Sequence, residues 1–231
     1  MDPRPVLVTG GTGRIGSAFV QRMAERGIPV RLGTRRPTEP DVELRCRFGP
    51  GEVVATHLAL ENSQALATAF EGCRGALFVT PFGEMESWHR IMGAAAAAAG
   101  LEHVVKVSVT GARGPESKPA PGRIPSLHWQ GEEILRQLGL PLTVIRPTIY
   151  AQHFLGLSPV LFSPGDEAIH LPTGNSSIAF LDCRDIAACA ADLLSDDGMA
   201  ARWAGKSFEL TGSSSVTGAE IAVILSMVAE R

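Results

Sequence analysis

Residues 5–16 read Pro-Val-Leu-Val-Thr-Gly-Gly-Thr-Gly-Arg-Ile-Gly. Val6, Leu7 and Val8 form a short apolar run that stops at glycine, as a strand buried on both faces of a parallel sheet does. Gly10, Gly13 and Gly16 follow as Gly-x-x-Gly-x-x-Gly. Ile15, Phe19 and Met23 then recur at helical spacing from Ile15 to Arg26, and Gly27 ends the helix. Glycines between a strand and a helix have three uses. One makes the tight turn, one lets the backbone approach a pyrophosphate, and one lets the helix pack close to the sheet. The helix N-terminus adds free N–H groups and a positive dipole end. This stretch predicts a dinucleotide-binding strand–turn–helix unit.

The second strand, Pro29 to Gly33, runs into Thr34-Arg35-Arg36-Pro37. A site for NAD calls for Asp or Glu about 20 residues beyond the turn, to accept a hydrogen bond from the ribose 2′-hydroxyl. No acidic residue lies between Ile28 and Arg36, and the first afterwards is Glu39. Arg35 and Arg36 stand in place of the carboxylate. A guanidinium matches a 2′-phosphate through paired N–H donors, so the expected cofactor is NADP(H).

Strand and helix patterns alternate through the rest of the chain. Val53 to Leu58 reads as a third strand, Ala76 to Thr80 as a fourth, His103 to Ser108 as a fifth and Pro141 to Arg146 as a sixth. The helices between them are Ser63 to Phe70, capped by Ser63 or Asn62, then Ser87 to Ala99 and Leu127 to Leu138. Ala219 to Glu230 is also helical in pattern. This alternation predicts an α/β fold, a doubly wound parallel sheet of Rossmann type. Residues 1–150 form the dinucleotide-binding part, and 151–231 a small C-terminal substrate lobe intertwined with it. Loops 111–126 and 152–177 begin at the carboxyl ends of strands, where ligands bind in such sheets, and are candidate substrate walls.

The 231 residues are 45% apolar and 19% charged, with a net charge of −3. That fills a sizeable core and excludes a nucleic-acid binder by overall charge. Cys46, Cys73, Cys183 and Cys189 lack CxxC spacing and read as reduced thiols of a cytoplasmic protein. The N-terminus has no signal-peptide pattern, and the alanine-rich stretch from Gly93 to Gly100 is too short to span a bilayer. A small-molecule substrate is the expected partner, with neither membrane nor nucleic acid. Monomer and homodimer both stay open.

Four segments together resemble an atypical short-chain dehydrogenase/reductase of the NmrA-like group. They are residues 8–16, residues 33–37, the run His128-Trp-Gln-Gly-Glu-Glu-Ile-Leu with Leu142-Thr-Val-Ile-Arg-Pro147, and Ala179-Phe-Leu-Asp-Cys-Arg-Asp-Ile-Ala187 followed by Phe208-Glu-Leu-Thr-Gly212. The resemblance implies an NAD(P)-binding protein. Its members include NADPH-dependent reductases of quinones, imines and double bonds, and sensors that bind the dinucleotide without turnover. By position, Gly10, Thr12, Gly13, Arg14 and Ile15 match the phosphate loop and Arg35 the 2′-phosphate contact. Thr80 and Pro81 fall where the nicotinamide ribose would run. His57 stands where relatives usually carry an acidic residue near the adenine, while Leu58 is placed to pack on the ring. Relatives usually continue for several dozen residues beyond Arg231, so the substrate lobe is small or the C-terminus trimmed.

Standard short-chain reductases carry Tyr-x-x-x-Lys, the tyrosine as proton donor. Here the single tyrosine, Tyr150, has Phe154 four residues on, and the lysines are Lys106, Lys118 and Lys206. The standard pair is absent. His128 and Glu132 lie one turn apart on one helix face instead. His128 is a candidate proton donor, as its position in the NmrA-like group also suggests, or it caps or packs the helix start and Glu132 is solvated. Ser108 and Thr110 close the fifth strand and are candidates to bond a substrate carbonyl, or they are strand-end caps. Asp185 reads as a helix N-cap rather than half of a carboxylate pair with Asp182. Trp88, His89 and Met92 lie on a helix and read as core or rim rather than as ligands. His103, His153 and His170 share no ligand spacing, and no metal is expected. These features point to an NADPH-dependent oxidoreductase acting on a quinone, carbonyl or conjugated double bond. The alternatives are an NADP-binding regulator or accessory protein, or an isomerase that keeps the fold.

Overall fold

In the computed structural model, residues 3–34, 52–81, 83–155 and 174–228 are described. Seven strands form one parallel sheet. They are β1 (Val6–Thr9), β2 (Val30–Thr34), β3 (Val53–His57), β4 (Gly75–Val79), β5 (His103–Val107), β6 (Leu142–Pro147) and β8 (Ser207–Leu210). Their order is β3-β2-β1-β4-β5-β6-β8. A short antiparallel ladder of β7 (Ser177–Ile178) with β9 (Val216–Thr217) stands apart from that sheet.

Alternation along each strand sends side chains to two helix layers. On one face Val6, Val8, Leu77, Val105, Val107 and Ile145 pack with α1 (Arg14–Glu25) and α5 (Cys183–Ser195). On the other, Leu7, Ala76, Phe78, Val104, Leu142 and Val144 pack with α2 (Ser63–Phe70), α3 (Met85–Ala98) and α4 (Arg123–Gln137). This is the doubly wound arrangement that the alternation predicts. The remaining helices are α6 (Asp197–Trp203) and α7 (Gly218–Val228). No described helix is long and apolar enough to cross a membrane.

Three local expectations change. Helix α4 starts at Arg123 rather than Leu127, with Pro125 in its first turn, where a missing N–H costs nothing. The cap of α5 is Asp182, whose carboxylate accepts from the Arg184 N–H at 2.7 Å, and Asp185 sits in the first turn instead. The seventh strand, β8, was not legible in the alternation. It pairs in parallel with β6, Val144 opposite Ser207 through Pro147 opposite Leu210. Thus α5 and β8 belong to the main layers, while β7, β9 and α7 stand beside them.

The sheet changes winding direction between β1 and β4, which are neighbours in space but not in sequence. Such a switch point opens a crevice at the carboxyl ends of the two strands. The ladder runs to Val8 opposite Leu77. Beyond it the Thr9 side chain takes over. Its Oγ1 accepts from the Val79 N–H at 2.8 Å and donates to the Val79 carbonyl at 3.1 Å, holding the mouth of the crevice.

Gly16 sets how closely α1 approaches the turn, because a Cβ there would lie 2.2 Å from the Gly10 carbonyl oxygen. Gly16→Ala should therefore cost about 1–3 kcal/mol by overpacking. Urea unfolding measures it, and an unchanged midpoint would contradict the close approach.

Candidate functional site at the switch point

Gly10 adopts φ +64°, a conformation that favours glycine, and its carbonyl accepts from the Gly13 N–H at 2.9 Å. Gly13 is the N-cap of α1 and supplies no side chain to the first turn. Thr12, Gly13 and Arg14 are exposed, and Ile15 is buried in the core beneath them. The result is an open, uncapped helix N-terminus at the switch point. A pyrophosphate needs that geometry, so these residues fit the dinucleotide the sequence calls for. Leu58 lies over Gly33, where a Cβ would come within 2.2 Å of its Cδ1, and is only 7% exposed. Arg35, Arg36, Cys46 and His170 lie outside the described residues, as does most of loop 152–177.

Across the crevice, a polar cluster is buried between the sheet and helices α3 and α4. Thr80, Lys106, Ser108 and Arg146 all project to this face from the ends of β4, β5 and β6. Gly131 on α4 leaves room for His89, whose ring atoms would lie 2.4–2.8 Å from a Cβ there. His89 Nδ1 donates to the Met85 carbonyl. Nε2 must then accept, and the Thr80 hydroxyl donates to it at 3.1 Å. Thr80 therefore turns only acceptor lone pairs outward, which suits a sugar hydroxyl. Pro81 beside it is exposed.

Glu132 is fully buried. Arg146 grips it with two hydrogen bonds, Nε to Oε1 at 3.1 Å and Nη2 to Oε2 at 2.6 Å. Arg136 adds one at 2.9 Å and Ser108 Oγ another at 2.6 Å. Burial pushes its pKa up, but the hydrogen bonds from Arg146, Ser108 and Arg136 outweigh that and hold it below the usual range. Glu132 is neither solvated nor paired with His128. The proton of Ser108 is committed to this carboxylate, so the expected donation from Ser108 to a substrate carbonyl is not available in this arrangement. Ser108 presents lone pairs instead.

His128 sits in the second turn of α4 and does not cap it. Its Nδ1 is 3.3 Å from Nζ of Lys106, which is fully buried. Burial, then the nearby Lys106 and His89, push its pKa down to about 3. Burial and Lys106 do the same to His89, also to about 3. Both rings are neutral at pH 7, so His128 can donate a proton only as a neutral imidazole. Burial pushes Lys106 itself down to about 7, against the pull of Glu132. Lys106 and Arg146 were not singled out from the sequence. The available signal was a lysine inside the apolar run Val104-Val-Lys-Val107.

Tyr150 packs against the α1/α5 core and stacks on His153 with ring centroids 4.2 Å apart. Lys106 faces the opposite helix layer, so the two do not form a substitute Tyr–Lys pair. His103 bonds the Leu193 carbonyl and Thr143, a structural role. Among the described residues no group of His, Cys, Asp and Glu could hold a metal ion.

Comparison with known proteins places these features in context. Residues 3–231 match the NmrA-like family. The chain is 31% identical over 226 residues to the (4-alkanoyl-5-oxo-2,5-dihydrofuran-3-yl)methyl phosphate reductase of Streptomyces griseus, covering 98% of this chain and 74% of that one. It is 29% identical over 229 residues to the NAD(P)H azoreductase of Xenophilus azovorans, with the same coverage. In fold it resembles the NADPH-dependent quinone oxidoreductase of Escherichia coli in complex with NADPH. The TM-score is 0.77 at 24% identity, over 98% of this chain and 76% of that one.

Two imidazoles held neutral in the fold have a measurable consequence. Their folded pKa of about 3 lies below the ordinary 6.5, so the unfolded chain binds more protons as pH falls through that window. Their stability contribution is complete above pH 6.5 and declines toward pH 3. Urea unfolding at pH 5.5 should therefore give a free energy at least about 3 kcal/mol below that at pH 7.5, about 1.4 kcal/mol from each ring, with Lys106 and His103, also held below their ordinary values by burial, adding in the same direction. A flat profile would contradict the neutral, buried state of both.

Proposed function

We propose that this chain, which belongs to the NmrA-like family, is an NADPH-dependent oxidoreductase that reduces a small quinone, carbonyl or conjugated double bond. One observation carries this reading. The open N-terminus of α1 follows β1, and Thr80, with the polar cluster beneath it, follows β4, so both stand at the carboxyl ends of the two strands that flank the switch point. One wall suits a pyrophosphate, and the other brings acceptors and a proton donor to the carboxyl ends of β4 and β5. The curated relatives above are named as reductases, one of them with NAD(P)H.

NADPH, when bound, supplies the hydride. The chain's residues bind, orient and protonate. Gly10, Thr12, Gly13, Arg14 and Ile15 hold the pyrophosphate at the start of α1. Arg35 and Arg36 hold the 2′-phosphate as paired N–H donors. Leu58, beside Gly33, packs on the adenine. Thr80 accepts from the nicotinamide ribose, with Pro81 shaping that wall. His128 donates the proton from Nε2. Ser108 positions substrate as an acceptor. A quinone suits such a site best, because its reduced oxyanion is already a weak base and asks little of the proton donor.

The absence of Tyr-x-x-x-Lys favours a second reading, a regulator that binds NADP without turnover. One experiment separates the two. NADPH oxidation is followed by absorbance with a panel of quinones, enones and azo dyes, and binding by fluorescence. The reductase predicts turnover with at least one acceptor, whereas tight binding with a flat trace throughout supports the regulator. In the same assay Arg35→Ala/Arg36→Ala should weaken NADPH binding on the order of tenfold or more and leave NADH binding unchanged. An equal loss for both nucleotides would contradict the assignment to the 2′-phosphate.

A further inference from the structure

We infer that Lys106 is the positioning residue for proton delivery, holding the His128 imidazole through Nδ1 and passing a proton into that atom as Nε2 gives one up. The inference rests on the reductase function proposed above and assigns a role within the same site.

A lysine in the middle of a sheet needs a reason. Lys106 is 0% exposed on the interior strand β5, where an apolar side chain would pack without any desolvation cost. It is not there for an ion pair, because no carboxylate among the described residues lies in ion-pair contact with it. Its Nζ reaches two atoms, Nδ1 of His128 at 3.3 Å and the Val107 carbonyl at 3.4 Å. An ammonium has no lone pair, so Nζ is the donor and Nδ1 the acceptor. The ring proton is then on Nε2.

The surroundings keep that arrangement from collapsing into an ordinary salt bridge. Four groups face Lys106 from the elements packed around it. His89 comes from α3, His128 and Glu132 from α4, and Arg146 from β6. Glu132 is already held by Arg146, Arg136 and Ser108, so its charge steadies the ammonium from a distance without binding it. His89 is fixed as a neutral ring by Met85 and Thr80. His128 is therefore the group to which Lys106 can give its proton.

The step balances. As the hydride reaches the substrate, an anion forms on oxygen or carbon. The Nε2–H bond of His128 breaks and a new O–H or C–H bond forms on the substrate. One N–H bond of Lys106 breaks and an Nδ1–H bond forms on His128. The imidazole stays neutral throughout and only changes tautomer. Lys106 passes from ammonium to amine, which offsets the negative charge neutralised on the substrate. Water restores the proton by the reverse route through His128, which is 8% exposed where Lys106 is sealed.

The test compares Lys106→Met, which can neither hold nor protonate Nδ1, with Lys106→Gln, whose amide can donate to Nδ1 but cannot release a proton. Readouts are kcat against pH, NADPH affinity, and the His128 tautomer by nitrogen NMR. In the wild type, kcat should decline as pH rises above about 7, where Lys106 loses its proton. Both variants should bind NADPH as the wild type does, lose kcat on the order of a hundredfold and lose that declining limb. Lys106→Gln should keep the Nε2–H tautomer, and Lys106→Met should not. If either variant retains kcat and the limb, the relay is overturned and the reductase function stands. If the wild type oxidises no NADPH with any acceptor, the reductase function falls and proton delivery with it. The tautomer still decides the Lys106–His128 bond, since an Nε2–H form that persists in Lys106→Met overturns the positioning role. Should Lys106→Met fail to fold, Lys106→Gln alone decides the relay by the same kcat and pH criteria.

Discussion

A carboxylate sealed from water organises this site. Glu132 is fully buried and takes hydrogen bonds from Arg146 on β6, from Arg136 one helical turn away, and from Ser108 at the end of β5. Stripping an ion pair of one partner in such a place typically costs about 3–5 kcal/mol, because the other charge is left uncompensated. The contacts from Arg146 and Ser108, which both come from the sheet, therefore lock α4 onto it. His128, one turn earlier on the same helix, is delivered over Lys106 as a consequence. The other residues of the cluster follow from that lock, down to Gly131, which leaves space for His89 against α4.

The winding of the sheet adds the second constraint. β1 and β4 lie side by side but send their chains to opposite faces, so their carboxyl ends part. Thr9 holds the parting point through Val79. On one side stands a helix start with no side-chain cap, and on the other Thr80 with its proton turned away toward His89. An uncapped helix start thus stands at the end of one strand, and a hydroxyl that offers only lone pairs at the end of its neighbour.

Much of this was legible in the sequence, for identifiable reasons. The glycine turn is local chemistry: Gly10 takes the left-handed backbone and Gly16 the close approach, and both follow from residue type. The buried strands announced themselves as apolar runs. β8 did not, because an edge strand of four residues with alternating burial carries too little pattern. The start of α4 was masked by Pro121, Gly122 and Pro125, which read as loop although a proline fits a first helical turn. The polar cluster was the least legible part. His128 and Glu132 share a helix face, but the partner of Glu132 is an arginine from the following strand, and a helical spacing rule cannot see across elements. Lys106 was visible as an oddity in Val-Val-Lys-Val. Only the pairing of β5 with α4 shows that it points to His128.

Hydride transfer to a small acceptor, with the proton drawn from the chain, is the chemistry proposed for this crevice. The most direct measurement is NADPH carrying deuterium on one or the other face of nicotinamide C4, oxidised by the wild-type protein with an acceptor from the quinone and enone classes. A reductase of this kind predicts slower turnover with deuterium on one face only, since a fixed crevice presents one face to the substrate. Equal rates for unlabelled NADPH and for both deuterated forms, or no oxidation of any of them, would contradict it.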